Sequence, residues 1–241
     1  MNKLWIKTAV LPLFGFAAFA LSQTAAADWE SGACPRPHNG PAPCIEYDDG
    51  TNLYHFNGSG GHSPDYHGAP GGGEMEFCGT TILCCEVFGS PIELECNLCL
   101  TGLVNKAPDG SGGWQVGIEV TGGTVSPGDD GCNDISLGGF PWHASNNGAH
   151  SGHSASTGVP YTVGAGSYTG SIGDTIAVTY LGFVPLVSGG HIHDVSFVNG
   201  SPSYFDFDGT LYQGGSAHNS PYNCEVDGNL EITDGDNITI L

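Results

Sequence analysis

The sequence predicts an all-β protein: a β-sandwich or jelly-roll-like domain preceded by a long irregular extension that carries cysteines and histidines. Composition is the first observation behind this. The chain of 241 residues contains 40 Gly and 15 Pro. Beyond the first 27 residues no long stretch repeats with the 3.6-residue period of a helix, whereas short apolar runs separated by Gly, Asn and Asp recur. Alternation is the second. Ile92, Leu94, Cys96, Leu98 and Leu100 share one parity, and Glu93, Glu95, Asn97, Cys99 and Thr101 the other. Trp114, Val116, Ile118 and Val120 repeat the pattern. A period of two is that of a strand with one face buried. Residues 105–113 between the two runs read as a long hairpin connection.

In chain order, residues 1–27 read as a secretory signal peptide. Lys3 and Lys7 form its positive start, residues 8–21 its apolar centre, and Ala25, Ala26 and Ala27 its small-residue cleavage site. Removal leaves Asp28 first. No second apolar run follows, so the expectation is a secreted or cell-surface protein with no transmembrane segment. The mature chain then keeps two cations, Arg36 and Lys106, against 25 carboxylates, a net charge of −23. Such a chain is repelled by nucleic acid and anionic lipid, stays soluble in salt, and attracts divalent cations or cationic partners.

Residues 28–73 read as the irregular extension and 74–241 as the β domain. Cys34 and Cys44 bracket a short Pro-rich loop that a bridge can close. Residues 56–73 read as a Gly-, Ser-, His- and Pro-rich linker. His55, His62 and His67 there are read as solvated rather than as metal ligands. Residues 80–88 form a strand candidate in which adjacent Cys84 and Cys85 point to opposite faces and need different partners.

Nine cysteines follow the leader: Cys34, Cys44, Cys78, Cys84, Cys85, Cys96, Cys99, Cys132 and Cys224. In an exported chain they are disulfide candidates, and the odd count leaves one free or paired between chains. Cys96 and Cys99 have the spacing of a metal knuckle or redox motif. On a strand, however, residues three apart face opposite ways, which places Cys96 in the core and Cys99 outside.

Residues 144–170 are again rich in Gly, Ser and His, and His150 and His153 have ligand-like spacing without rigid support. Ile176, Val178 and Tyr180 mark another strand. His191 and His193 form the sharpest metal signal, because both rings leave one face of a strand, close enough to share a Zn or Cu ion. Val195 and Phe197 continue the same parity, so the alternative is that the rings pack over core side chains. Cys224, Val226, Leu230 and Ile232 mark a later strand, with a bulge or tight bend at Gly228. Asp234-Gly235-Asp236-Asn237 reads as a type I′-like turn; its faint likeness to a Ca loop lacks the downstream acidic ligand.

No Gly-x-Ser-x-Gly, His-Glu-x-x-His or phosphate-loop motif is present, so no catalytic or cofactor-binding residue is assigned and the chain reads away from an enzyme. Asp206 and Asp208 read as a solvated strand face.

From residue 92 to the C-terminus the order of parts resembles the PraB-like family, secreted bacterial proteins named for activation of alkane oxidation. The matching parts are the strand around Cys96, the run Val120-Thr-Gly-Gly-Thr-Val, Pro127-Gly-Asp, Cys132, and Gly-Phe-Pro-Trp ending at Trp142. The family's strands begin soon after the leader, whereas this chain has its Cys/His insert there. The resemblance implies an extracellular role linked to biofilm matrix or to growth on hydrophobic substrates, and carries over no catalytic residue. The expectation is a non-enzymatic surface or matrix protein that partners itself or other matrix and cell-surface components. In that picture residues 80–88 either join their own sheet or add to a neighbour's open edge. The alternative function is an exported metal-binding protein using His191 and His193.

Overall fold

The computed structural model describes residues 29–35, 42–57, 66–146, 158–213 and 221–241. Residues 1–27, expected to form a signal peptide, and Arg36, His62, His150 and His153 lie outside the described residues.

The described chain is all β apart from one short 3-10 turn, residues Cys132–Asp134. Three strands come from the extension: β1 (Glu30–Ser31), β2 (Cys44–Asp48) and β3 (Leu53–Asn57). The strands β4 (Met75–Val87), β5 (Ser90–Pro108) and β6 (Trp114–Ser126) follow, then β7 (Ile135–Gly138), β8 (Trp142–Ser145) and β9 (Val159–Pro160). The rest are β10 (Ser167–Tyr180), β11 (Val184–Val198), β12 (Tyr204–Gln213), β13 (Pro221–Ile232) and β14 (Asn237–Ile240).

The larger sheet closes on itself. The strands β4, β5, β6, β8, β10, β11, β12 and β13 each pair antiparallel with the next, and β13 returns to β4, from Cys224 opposite Cys85 to Ile232 opposite Phe77. The architecture is therefore a closed eight-strand barrel rather than the two faced sheets of a sandwich. Closure satisfies the backbone groups that a sandwich leaves on its edge strands. Strand β7 pairs beside β8 on β10, and β9 pairs on β6.

Alternation sets the inside and the outside. On β4, Met75, Phe77, Thr81, Cys85 and Val87 are buried, while Glu76 and Glu86 are exposed. The lumen is filled by side chains including Phe77, Leu100, Val120, Ile172, Phe205 and Phe207. Each such residue contributes about 1.5–3 kcal/mol on burial. A bulge at Thr101/Gly102 shifts the β5–β6 register, so Val116, Ile118 and Val120 face inward before it and Val125 after it. The connection expected over residues 105–113 is shorter. Asn105, Lys106 and Ala107 are buried and paired with β6, and only the turn remains, held by Asp109 accepting from the backbone N–H groups of Ser111 and Gly113.

The extension is not irregular. Its strands form a four-stranded sheet in the order β1-β3-β2-β14, in which Ile45 pairs with Ile240 and Tyr47 with Ile238. Ile45, Ile238 and Ile240 line one apolar space with Phe77, Val104, Val195, Phe197 and Phe205 of the barrel. This second sheet therefore plugs one end of the barrel. Strand β2 finds its partner in the last strand of the chain, nearly 200 residues away, which is why residues 28–73 read as irregular. His55 and His67, expected in solvent, are buried: His55 Nδ1 lies 2.8 Å from the Gly32 carbonyl, and the His67 ring packs 4.6 Å from Phe56.

The plug's outer edge is occupied. The side chain of Asn199 accepts from the backbone N–H of Ile240 and donates to its carbonyl, at 3.0 and 2.9 Å, and Ser203 Oγ accepts from Ile238 N–H at 3.0 Å. Strand β4 pairs on both sides, with β5 and with β13, so the option of donating residues 80–88 to a neighbour's edge is overturned.

Candidate functional site

Four disulfides staple the fold. Cys34–Cys44 ties the plug, Cys78–Cys99 links β4 to β5 on the outer wall, Cys85–Cys224 links β4 to β13 inside the seam, and Cys96–Cys132 ties the segment after β6 to the lumen side of β5. Cys96 and Cys99 thus have separate partners, as opposite facing requires. Cys85 is bridged and Cys84 is a free thiol. Glu76, Cys78 and Cys99 converge as a metal site would, but both sulfurs are committed to each other.

The Cys96–Cys132 bridge acts at the end of the barrel opposite the plug. There Asp129 N–H donates to Glu95 O at 2.9 Å, and Leu181 N–H donates to Asp134 O at 2.8 Å. The segment between β6 and β7 is thereby pinned to two sides of the rim. Beneath it lies an apolar cavity of about 80 Å³ lined by Leu98, Val125, Val178 and Leu211 among others. A second, of about 50 Å³, lies under the plug.

His191 and His193 do share a face of β11, with ring centroids 4.6 Å apart. Their neighbour Ile192 faces the lumen, so both rings leave on the other side of the wall, where they are 0% and 4% exposed. Tyr212, opposite His191 on β12, stacks on it at 5.9 Å. Ser171 Oγ lies 2.8 Å from His193 Nδ1. Val195 and Phe197 do not continue the histidine face. Asp194 has φ of 60°, the β11–β12 register shifts beyond Ile192, and Val195 and Phe197 line the lumen. The bulge exchanges the two faces, so the parity of the sequence misleads there.

A second histidine was not singled out by sequence. His143 Nε2 lies 2.8 Å from Glu119 Oε2 across the β6–β8 pair, with the Tyr66 ring 6.0 Å away. Burial, with Glu119 adding to it, pushes the Tyr66 hydroxyl up to about 12. Only the strand register, which no local pattern reveals, brings Glu119 and His143 together.

The outer wall over β12, β13, β4 and β5 is acidic. Asp208 sits directly opposite Asp227, and the row Glu225, Cys84, Glu93 runs beside the row Asp227, Ile82, Glu95. Asp208, Glu225, Asp227, Glu93 and Glu95 are all exposed. Like charges directly opposite on a sheet repel. Among the described residues the one Lys or Arg is Lys106, which is buried. Asp206 and Asp208 belong to this wall.

Fold and surface together define a class: a disulfide-stapled, closed antiparallel barrel with one end plugged and an acidic exterior. No family model, curated protein or solved structure matches the chain. No helix among the described residues is long and apolar enough to cross a membrane.

Proposed function

We propose that the protein is an exported, non-enzymatic component of the cell surface or extracellular matrix. It works as a rigid barrel that presents its outer wall to copies of itself or to other matrix components. The acidic wall is the observation that carries this. Evenly distributed charge would keep a domain soluble, but here Asp208 is set directly opposite Asp227 and further exposed carboxylates gather in the same rows across β13, β4 and β5, an arrangement that costs stability. Divalent cations between walls offset that cost and join copies. The disulfides suit a protein that works outside the cell. The PraB-like resemblance supports the same reading and extends it to biofilm or growth on hydrophobic substrates. Fractionating a producing culture tests it: the protein belongs in the cell-surface or matrix fraction, released by chelator. Recovery in the cytoplasmic fraction would contradict it.

A second reading is an exported Zn- or Cu-binding protein. It is favoured by His191 and His193 sharing one buried face, with Ser171 placed to orient the His193 ring through Nδ1. Replacing both histidines with Ala would abolish stoichiometric uptake of Zn or Cu in calorimetry. Absence of uptake by the native protein at micromolar metal would dismiss this reading.

A further inference from the structure

We propose that Glu76, Cys78 and Cys99 form a redox-gated metal site on the outer wall of the barrel. A dithiol reductant opens the Cys78–Cys99 bridge, and the two thiolates with the Glu76 carboxylate then bind a thiophilic divalent cation of the Zn and Cd type. The site lies on β4 and β5, apart from His191 and His193 on β11, and does not depend on them.

Access singles out this bridge. All six cysteines of the other three disulfides are at most 4% exposed, whereas Cys78 and Cys99 are half-buried on the outer face. Thiol–disulfide exchange needs a thiolate to reach a sulfur, so the accessible bridge opens first. Opening it leaves the wall intact. Cys78 sits directly opposite Cys99 in a ladder paired from Met75 and Gly102 to Val87 and Ser90, and each strand has a second neighbour. The backbone hydrogen bonds keep the two Cα atoms, 4.1 Å apart, in register, so the two sulfurs stay adjacent after the bond between them is gone.

The surroundings also choose the leaving sulfur. Asn97 Nδ2 donates to Cys99 Sγ at 3.6 Å and to Ser126 Oγ at 3.2 Å. A hydrogen bond to sulfur favours the thiolate over the uncharged sulfur of the bridge. The reductant's thiolate therefore attacks Cys78 Sγ, the S–S bond breaks, and its electron pair leaves on Cys99 Sγ. The second thiol of the reductant displaces Cys78 and closes a cyclic disulfide. Two electrons pass from dithiol to bridge. The reductant's two protons pass to Cys78 and Cys99, and the metal later displaces them into solvent.

The donor set fits one ion. The ligand atoms of Glu76, Cys78 and Cys99 all lie within 4.8 Å of one another. A tetrahedral Zn with bonds of about 2.0–2.3 Å spaces its ligand atoms about 3.3–3.8 Å apart, so small side-chain rotations bring the three donors onto it. Thr233 Oγ1 donates to Glu76 Oε2 at 3.5 Å and orients that carboxylate. Glu231, exposed on β13 and directly opposite Cys78, brings a second carboxylate to the same face. Two thiolates select Zn or Cd over Ca and Mg, which take oxygen ligands.

The test uses the protein without residues 1–27 in a Cys84→Ser background, where every thiol comes from an opened bridge. Limited dithiothreitol treatment, ended by desalting under argon, should raise the thiol count from zero to two. Peptide mapping should place both at Cys78 and Cys99, with the β-sheet circular dichroism unchanged. Cadmium titration should then show one equivalent bound with an ultraviolet thiolate-to-cadmium charge-transfer band that is absent before reduction. Glu76→Gln should keep both thiols and bind cadmium at least about tenfold more weakly, since even an outer partner of a metal site is worth that much. Cys78→Ser with Cys99→Ser should give no band. First opening of a buried bridge, loss of the sheet on reduction, a reduced protein that takes no cadmium, or undiminished affinity in Glu76→Gln would each overturn the proposal. Metal held by His191 and His193 carries no thiolate band, so the two metal readings fail independently.

Discussion

The ammonium of Lys106 donates to the carbonyl of Pro43 at 2.6 Å, bringing the wall of the barrel and the plug together through one buried cation. A second hydrogen bond goes to the carbonyl of Phe56 at 3.2 Å, and the Phe56 ring lies 5.1 Å from the same nitrogen. Burial pushes the Lys106 pKa down to about 8.

That depression fixes a pH dependence. The unfolded chain holds the Lys106 proton up to about 10.5, the folded chain only to about 8. Between those values the unfolded state binds more protons, so this residue's contribution to stability rises with pH. The penalty of the buried charge is full below about 8 and gone above about 10.5. Urea unfolding of wild type against Lys106→Met should therefore show wild type gaining on the variant between pH 7 and 9.5. At pH 7 the variant should still lose about 1–3 kcal/mol, because two buried carbonyls lose their donor. A pH-independent difference would contradict this assignment.

The seam disulfide should matter more than the plug disulfide. Cys85 and Cys224 are 139 residues apart, whereas Cys34 and Cys44 are 10 apart. Chain entropy gives about 5 kcal/mol for the first closure and about 2.7 kcal/mol for the second. Paired Ala replacements, compared by urea unfolding under oxidising conditions, should show the larger loss at the seam.

Asn199 guards the edge of β14. Replacing it with Ala removes the bonds to Ile240 and uncovers the edge of the plug sheet. The expected cost is about 1–3 kcal/mol, with new concentration-dependent aggregation visible by light scattering.

Cys84 should be the single thiol that a thiol-specific alkylating reagent labels in the native protein. Its pKa is raised by burial first and then by Glu93, Glu225 and Asp227. Labelling should therefore be slow at neutral pH and faster in high salt, with one equivalent incorporated and none in Cys84→Ser. Two or more equivalents would contradict the pairing described here.

Much of the fold was legible wherever the pattern is local. The parity of residues 92–100 put Cys96 inside and Cys99 outside, and the nine-cysteine count required an odd thiol. Closure was not legible, because β13 meets β4 across some 140 residues and a strand's own alternation names no neighbour. The plug was hidden for the same reason: Ile45 finds Ile240 from the far end of the chain, and Pro and Gly around the extension mask two five-residue strands. At the candidate histidine site the shared face of His191 and His193 was readable from their spacing. The change of face at Asp194 was not, since a bulge leaves the sequence alternation unbroken.

On the function proposed above, the acidic outer wall governs association between copies. Light scattering of the oxidised protein without residues 1–27, in low salt, in high salt and in millimolar calcium, checks this. Monomer is expected at low salt, larger species in high salt and more so with calcium, and reversal on chelation. Replacing Glu93, Glu225, Asp208 and Asp227 with their amides should abolish the calcium response. A protein that stays monomeric in all three conditions would contradict it.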